Sequence, residues 1–127
     1  QFFAYSEDAV TMQYTDDETI MGFYTDEKFY IISEEAGSRY QYFRDSLYYF
    51  DDYSNKNGTG TLMKFKNGKT QKIDTDVYDI FVRSEDDIVY IKDYSTRRDY
   101  GDLYHKKGNS KPELVDTDVS FIIKVYN

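Results

Sequence analysis

One stretch of this chain occurs twice. LYYFDDYSNKNGTGTLMKFKNGKTQKIDTDVYDIFV, residues 47–82, aligns with IVYIKDYSTRRDYGDLYHKKGNSKPELVDTDVSFIIKV, residues 88–125. Tyr49 falls on Tyr90, Asp52, Tyr53 and Ser54 on Asp93, Tyr94 and Ser95, Gly60 on Gly101, and Leu62 on Leu103, all at an offset of 41. The offset is 42 by Asp74 and Asp116, so the intervening turn has gained one residue. A period of this size marks stacked supersecondary units, none of which can bury its apolar face alone. The fold must therefore repeat, and residues at matched positions should do matched work.

Each unit reads as four short strands. In the second unit they fall at about 47–51, 61–66, 69–73 and 78–83. Asn67-Gly68, between LMKFK and KTQKI, supplies the two positive φ angles that a two-residue hairpin needs, and Gly108-Asn109 stands at the same bend of the third unit. The longer loops DYSNKNGTG and DYSTRRDYG carry the Gly, Asn and Asp of turns. A more divergent unit precedes them over residues 10–44, with a short first loop at 15–19. The junction SED stands at residues 6–8 and again at 84–86, and Arg44-Asp45-Ser46 is its weaker version. The organisation read from these signals is one all-β domain over 1–127. Its units are about 10–44, 45–83 and 84–127, with a strand at 2–5 left from a preceding unit.

Composition agrees. Tyr (15) and Phe (9) bring aromatics to 19% of residues, and such side chains fit a pleated, half-buried surface better than a helix. At 127 residues the chain can bury a core. The net charge of −8 and a pI near 4.6 repel phosphate backbones, so no nucleic acid is expected as a partner, whereas cations and basic surfaces would be attracted. The absence of cysteine excludes disulfides, thiolate zinc sites and cysteine nucleophiles. No apolar run approaches the roughly 18 residues of a membrane span, so direct membrane insertion by this segment is not expected. The chain begins at Gln1, which reads as an excised or processed segment whose anchor stood upstream.

Four antiparallel strands in about 40 residues is the size of a propeller blade. YSEDAVTMQYTDD (residues 5–17) and RSEDDIVYIKDY (residues 83–94) resemble the unit opening of TolB-like β-propeller repeats, a Ser-Pro-Asp-Gly turn leading into a strand. Ser6, Asp8, Ser84 and Asp86 keep the pattern, while Glu7 and Glu85 replace the proline and Ala9 and Asp87 the glycine. The resemblance implies about three four-stranded antiparallel propeller-like blades, an incomplete propeller or a fragment of one. The alternative from the same strands is a twisted antiparallel meander or sandwich. The tyrosine-rich style is also similar to propeller-like regions of exported or membrane-anchored bacterial proteins, which implies an extracellular or cell-surface setting. Closure normally needs at least four blades, so further blades or a homo-oligomer are expected to cover the terminal faces.

The sequence gives little sign of catalysis. The lone His105 lies inside the predicted strand DLYHKK and reads as a partly exposed strand site. No serine lies in a Gly-x-Ser-x-Gly elbow. Asp16-Asp17, Asp51-Asp52 and Asp86-Asp87 sit at strand ends, where Asp caps turns. Asp74-x-Asp76 and Asp116-x-Asp118 lack the third ligand and the glycine of a calcium loop, so DTDV reads as a corner between third and fourth strands rather than a metal site. Gly58 and Gly60 lack the Lys-Ser/Thr of a phosphate loop. No catalytic residue, metal or cofactor is expected.

The remaining signal is aromatic rings beside carboxylates on the long loops. Asp52, Tyr53, Asp93, Tyr94 and Tyr100 are the candidate ligand-binding residues, since Tyr offers an apolar face and a polar tip to proteins or glycans. The competing reading is that Asp-Tyr-Ser starts a turn whose ring packs on the neighbouring unit. The expected role is a non-enzymatic binding or scaffold module for a protein or glycan; the alternative is a fragment of a carbohydrate-active propeller enzyme.

Overall fold

The computed structural model describes residues 7–125. The expected strand at 2–5 lies outside the described residues. Ten strands follow in order: β1 (Ala9–Tyr14), β2 (Thr19–Thr25), β3 (Lys28–Ser33), β4 (Tyr40–Phe43), β5 (Ser46–Ser54), β6 (Thr59–Lys66), β7 (Lys69–Ser84), β8 (Asp87–Ser95), β9 (Tyr100–Lys107) and β10 (Glu113–Val119). All ladders are antiparallel. A three-stranded sheet runs β1-β2-β3, and a seven-stranded meander runs β10-β9-β8-β7-β6-β5-β4.

The fold is all-β, and the larger sheet curls strongly. The bend lies in β7. The separate strands expected at 69–73 and 78–83 are one strand of 16 residues, so DTDV is not a corner. It is a bulge: Gly60 pairs with Val77 but Leu62 with Asp74 and Met63 with Lys72, while Val77 pairs with Lys92 and Asp79 with Ile91. Extra residues on one strand bend it and increase its twist, and Asp76 takes the left-handed φ of 56° that such a kink needs. The first half of β7 therefore belongs with β6 and the second half with β8. Residues 120–125, expected as a fourth strand, lie outside both sheets.

The backbone repeats as the sequence does. Asp52 and Asp93 have φ of 48° and 56°, and Asp76 and Asp118 have 56° and 60°. Asp tolerates this region better than most residues because its short side chain bonds locally. Gly60 and Gly101 face the bulges at Asp52 and Asp93. A Cβ on Gly60 would stand 2.9 Å from the Asp51 carbonyl oxygen, and one on Gly101 would stand 2.7 Å from that of Lys92. The glycine shared by the two long loops is required by backbone approach rather than by a ligand. The hairpin at Asn67-Gly68 forms as expected, with φ of 53° and 76° and Lys66 paired with Lys69.

The divergent first unit follows the same plan. Ala36 donates its N–H to the Thr19 carbonyl at 3.0 Å, which matches Val77 against Gly60 one unit later. The run Ser33-Glu34-Glu35-Ala36 thus occupies the place of DTDV.

Two cores lie on opposite sides of β5 and β6. Met21, Phe23, Ala36, Leu47, Tyr49 and Phe65 form one, between the small sheet and the β5–β6 pair. Tyr48, Phe50, Leu62, Val77, Ile80, Val82, Ile88 and Tyr90 form the other, where the large sheet curls back on itself. Successive residues of a strand face opposite sides, so β5 sends Leu47 and Tyr49 one way and Tyr48 and Phe50 the other. This explains an apolar run with no polar alternation: both faces of β5 are covered.

Candidate functional site

The candidate residues lie at the ends of the units that carry the bulges. Asp52 is exposed at the bulge where β5 skips from Asp51–Thr61 pairing to Ser54–Thr59 pairing. A hydrogen bond between the Asp52 and Glu35 carboxyl groups, with the repulsion of Asp52 and nearby Asp51 and Glu18, raises the Glu35 pKa above its ordinary value. Tyr53 points inward. Its N–H donates to the Glu35 carbonyl at 2.9 Å, its ring packs against the core that holds Tyr48, Phe50, Leu62 and Val77, and a Cβ on Gly37 would lie 2.8 Å from that ring.

Tyr94 does the equivalent work one unit later. It stacks on Tyr78 with ring centroids 3.6 Å apart and planes within 4°. Gly37 and Tyr78 are themselves repeat-equivalent at the offset of 41, so each junction holds a tyrosine from the long loop against the residue that follows the bulge. In one junction that residue is glycine and in the other it is a second ring. Burial, with a hydrogen bond to Tyr78, pushes the Tyr94 hydroxyl up to about 12. Asp93 is exposed at the next bulge, and its pKa is raised by partial burial and by the carboxylates of Asp76, Asp102 and Asp74. Tyr100 pairs with Ser95 across β8–β9, and Arg98 Nη1 reaches its hydroxyl at 3.4 Å.

Two further residues converge on Tyr78, and sequence reading assigned neither of them to this place. Gly58 sits between the Tyr53 hydroxyl and the Tyr78 ring. Arg39 places its guanidinium 5.2 Å from the Tyr78 ring centre and 5.7 Å from that of Phe50, bonds the Tyr78 carbonyl, and stands 3.5 Å from Asp79. Arg39 lies in the most divergent part of the first unit and has no matched arginine, so no pattern flagged it. Glu35 was detectable, because it stands 41 residues before Asp76.

An open cleft lies beside these residues. Glu18, Ser33, Glu34, Glu35, Asp51 and Asp52 line a space of about 320 Å³. The Ser33 hydroxyl donates to Asp51 at 2.5 Å and accepts from the Glu35 N–H at 3.1 Å.

The DTDV aspartates are structural. Asp74 Oδ1 accepts from the N–H of Thr75 at 2.8 Å, and Asp116 does the same for Thr117. Asp74 also accepts from Tyr90 at 2.7 Å and from Lys92 at 2.5 Å. Burial works to raise its pKa, but the bonds from Lys92, Tyr90 and Thr75 outweigh it and hold the carboxyl below its usual range. Tyr90 is pushed strongly upward by burial and by its bond to that carboxylate.

Lys64 and His105 are engaged in the same way. Lys64 is buried, with Asp86 at 2.6 Å, Glu85 at 3.6 Å and the Tyr48 ring centre 5.9 Å away. Burial alone would lower its pKa; the Asp86 bond and the surrounding groups raise it instead. His105 Nε2 is held 2.7 Å from Asp87. Among the described residues no group of three or more His, Asp or Glu is arranged to hold a metal ion. No helix of the described chain is long and apolar enough to cross a membrane.

Compared with protein-family models, with curated proteins and with solved structures, the chain matches none. The likeness to TolB-like repeats therefore rests on the short motifs quoted above.

Proposed function

We propose that this chain is a non-enzymatic repeat module, propeller-like in plan, that acts as a scaffold and offers its bulge-bearing end to a basic segment of a protein partner. The observation that carries this reading is an exchange of chemistry at matched positions. Ser33 and Asp51 hold one junction, and Asp74 and Lys92 hold the next at the same offset of 41. Gly37 and Tyr53 are replaced in the same way by Tyr78 and Tyr94. A catalytic constellation needs particular groups in particular roles. These stations keep the contact and vary the group, which is what packing between units requires.

The propeller-like plan draws support from the repeat of about 41 residues and from the two cores on opposite sides of β5. The placement at a cell surface draws on the resemblance of the unit openings. A protein fits the end surface better than a glycan, because Tyr53 and Tyr94 turn their faces inward and leave carboxylates outward. Glu18, Glu34, Glu35 and Asp52 are exposed around one cleft, where they repel each other, and a cation would relieve that repulsion.

The test is titration with a lysine- and arginine-rich peptide followed by NMR. Shifts should gather at Glu18, Glu34, Glu35 and Asp52, weaken with salt, and disappear in the Glu35→Lys/Asp52→Lys double variant. Glu113→Lys, on β10, should leave them intact. Equal binding by the double variant, or shifts centred elsewhere, would remove this surface from consideration. Turnover of a glycan that one carboxylate substitution abolished, with the fold preserved, would favour the enzyme reading.

A further inference from the structure

The end of the molecule that carries the tight hairpins, opposite the bulges, also has two matched stations. At the later one, Lys64, Gln71, Lys106 and Gly108 line a narrow gap of about 20 Å³ between the second and third units, with Asp86 at its rim. At the earlier one, Phe23, Tyr30, Phe65 and Asn67 line a cavity of about 320 Å³ between the first and second units, with Asp45 at its rim. Each of these five residues stands 41 before its counterpart. The ladders agree, since Tyr30 is opposite Phe23 as Gln71 is opposite Lys64. One place has been built twice.

The two differ in where a cation comes from. The later station holds an ammonium group of the chain's own. Lys64 is buried, its Nζ lies 2.6 Å from Asp86 and 3.6 Å from Glu85, and the Tyr48 ring centre is 5.9 Å away. A cation near a ring, with carboxylates to balance its charge, is a favourable arrangement out of water. At the earlier station Phe23 takes the place of Lys64 and Phe65 that of Lys106, so rings replace both ammonium groups.

The carboxylates are kept. Asp45 holds the place of Asp86, and Asp8 and Asp26 join it. Asp8 accepts a hydrogen bond from the Tyr42 hydroxyl. Burial, that bond and the charges of Asp8 and Asp45 push the hydroxyl up to about 12, so both carboxylates act on the same spot. Among the described residues no ion pair reaches Asp8, Asp26 or Asp45, and no lysine or arginine lines the cavity. Residues 1–6 and 126–127 contain neither residue type. Arg44, at the position of Glu85, has its guanidinium 5.5 Å from the ring centre of Phe43, which packs on the core at the other side of β5.

The rings of the cavity are inclined rather than stacked. Phe65 meets Phe23 at 87° and Tyr30 at 59°, with centres 5.5 and 4.9 Å apart, and Tyr42 meets Phe23 at 60°. Rings set at such angles wall a space on several sides. From these observations we infer that the cavity binds a primary alkylammonium ion from outside the chain. Its alkyl part would lie against Phe23, Tyr30 and Phe65 and its ammonium group at Asp45 and Asp8, where the later station uses Lys64.

This inference does not rest on what the acidic cleft at the other end binds. Its test is titration of the chain with n-butylammonium chloride followed by NMR, with n-butanol and tetramethylammonium chloride as comparisons. The ammonium ion should shift Tyr30, Tyr42, Phe65 and Asn67, and bind about tenfold more tightly than n-butanol, which has the same chain without the charge. Asp45→Asn, at an exposed turn, should weaken binding about tenfold. Thr25→Lys supplies a tethered ammonium at the place of Lys66 and should exclude the free one, while resonances of the later station stay in place. Tighter binding of a lysine capped at both ends would assign the site to a protein side chain, and tighter binding of n-butylammonium to a free amine; either supports the ammonium site. Absence of a saturable shift, equal binding of n-butanol or tighter binding of tetramethylammonium would overturn it. So would undiminished binding by both variants, or shifts centred on Glu35 and Asp52.

Discussion

Asp74 accepts a 2.5 Å hydrogen bond from the ammonium group of Lys92 across the joint between the second and third units. Both side chains are largely out of water, at 18% and 20% exposure, so neither can be removed without leaving the other short of a partner. Asp74→Ala should cost about 1–3 kcal/mol, the range for orphaning a buried charged group. Urea denaturation of the variant measures it directly. Lys92→Ala should cost a similar amount, and the double variant should cost less than the sum. Additive losses would show that the two groups act independently.

The acid limb of the stability curve should have two opposed components. Asp74 has a folded pKa below its ordinary value, so its contribution is present above the unfolded pKa and is lost as pH falls through the folded one. Glu35 has a folded pKa above its ordinary value of 4.5, so its contribution is fully present below 4.5 and is lost as pH rises through the raised value. Lowering the pH from neutral toward 4.5 should therefore first stabilise the fold as Glu35 takes a proton, and lower pH should then destabilise it as Asp74 does. Melting temperatures measured across this range in wild type and Glu35→Gln separate the two: the first rise should shrink in the variant, with Asp93, also raised, supplying what is left of it, while the second fall remains.

Gly60 and Gly101 make the same demand at two places. Gly60→Ala sets a Cβ 2.9 Å from the Asp51 carbonyl oxygen, and Gly101→Ala sets one 2.7 Å from that of Lys92. Backbone cannot step aside as a flexible side chain can, so each substitution should destabilise by about 1–3 kcal/mol. Gly108 is the control. It has φ of 58° but open space around its Cβ position, so Gly108→Ala should cost only about 1 kcal/mol. Comparable losses at all three positions by thermal melting would contradict the backbone-contact account.

The repeat was legible because its signals are local. Asn67-Gly68 dictates a hairpin by its φ angles, and the alternation of the strands dictates their faces. What the sequence concealed depends on partners far along the chain. DTDV has the composition of a turn, yet Val77 pairs with both Gly60 and Lys92 and so holds β7 as one bent strand. Tyr53 and Tyr94 look like loop aromatics open to a ligand. Their rings are taken by Gly37 and Tyr78, residues from the preceding unit that only the offset of 41 connects to them. Arg39, which ties the first unit to Tyr78 and Asp79, had no repeated counterpart to betray it.

Tyr53 and Tyr94 give the sharpest contrast between packing and ligand recognition. Stacked aromatic pairs contribute about 0.5–1.5 kcal/mol beyond the area they bury, so Tyr94→Ala should destabilise the fold measurably, and Tyr94→Phe, which keeps the stack on Tyr78, should be nearly neutral. Tyr53→Ala should also destabilise, because the ring that covers Gly37 is lost. Gly37→Ala should do so from the other side, since its Cβ would stand 2.8 Å from that ring. Pairing Gly37→Ala with Tyr53→Ala relieves the clash, so the double variant should be no less stable than Tyr53→Ala alone. Chemical denaturation of the four variants decides the matter. If Tyr53→Ala and Tyr94→Ala unfold at the wild-type midpoint, the rings are not structural, and their place at the ends of β5 and β8 would return them to a ligand-binding role.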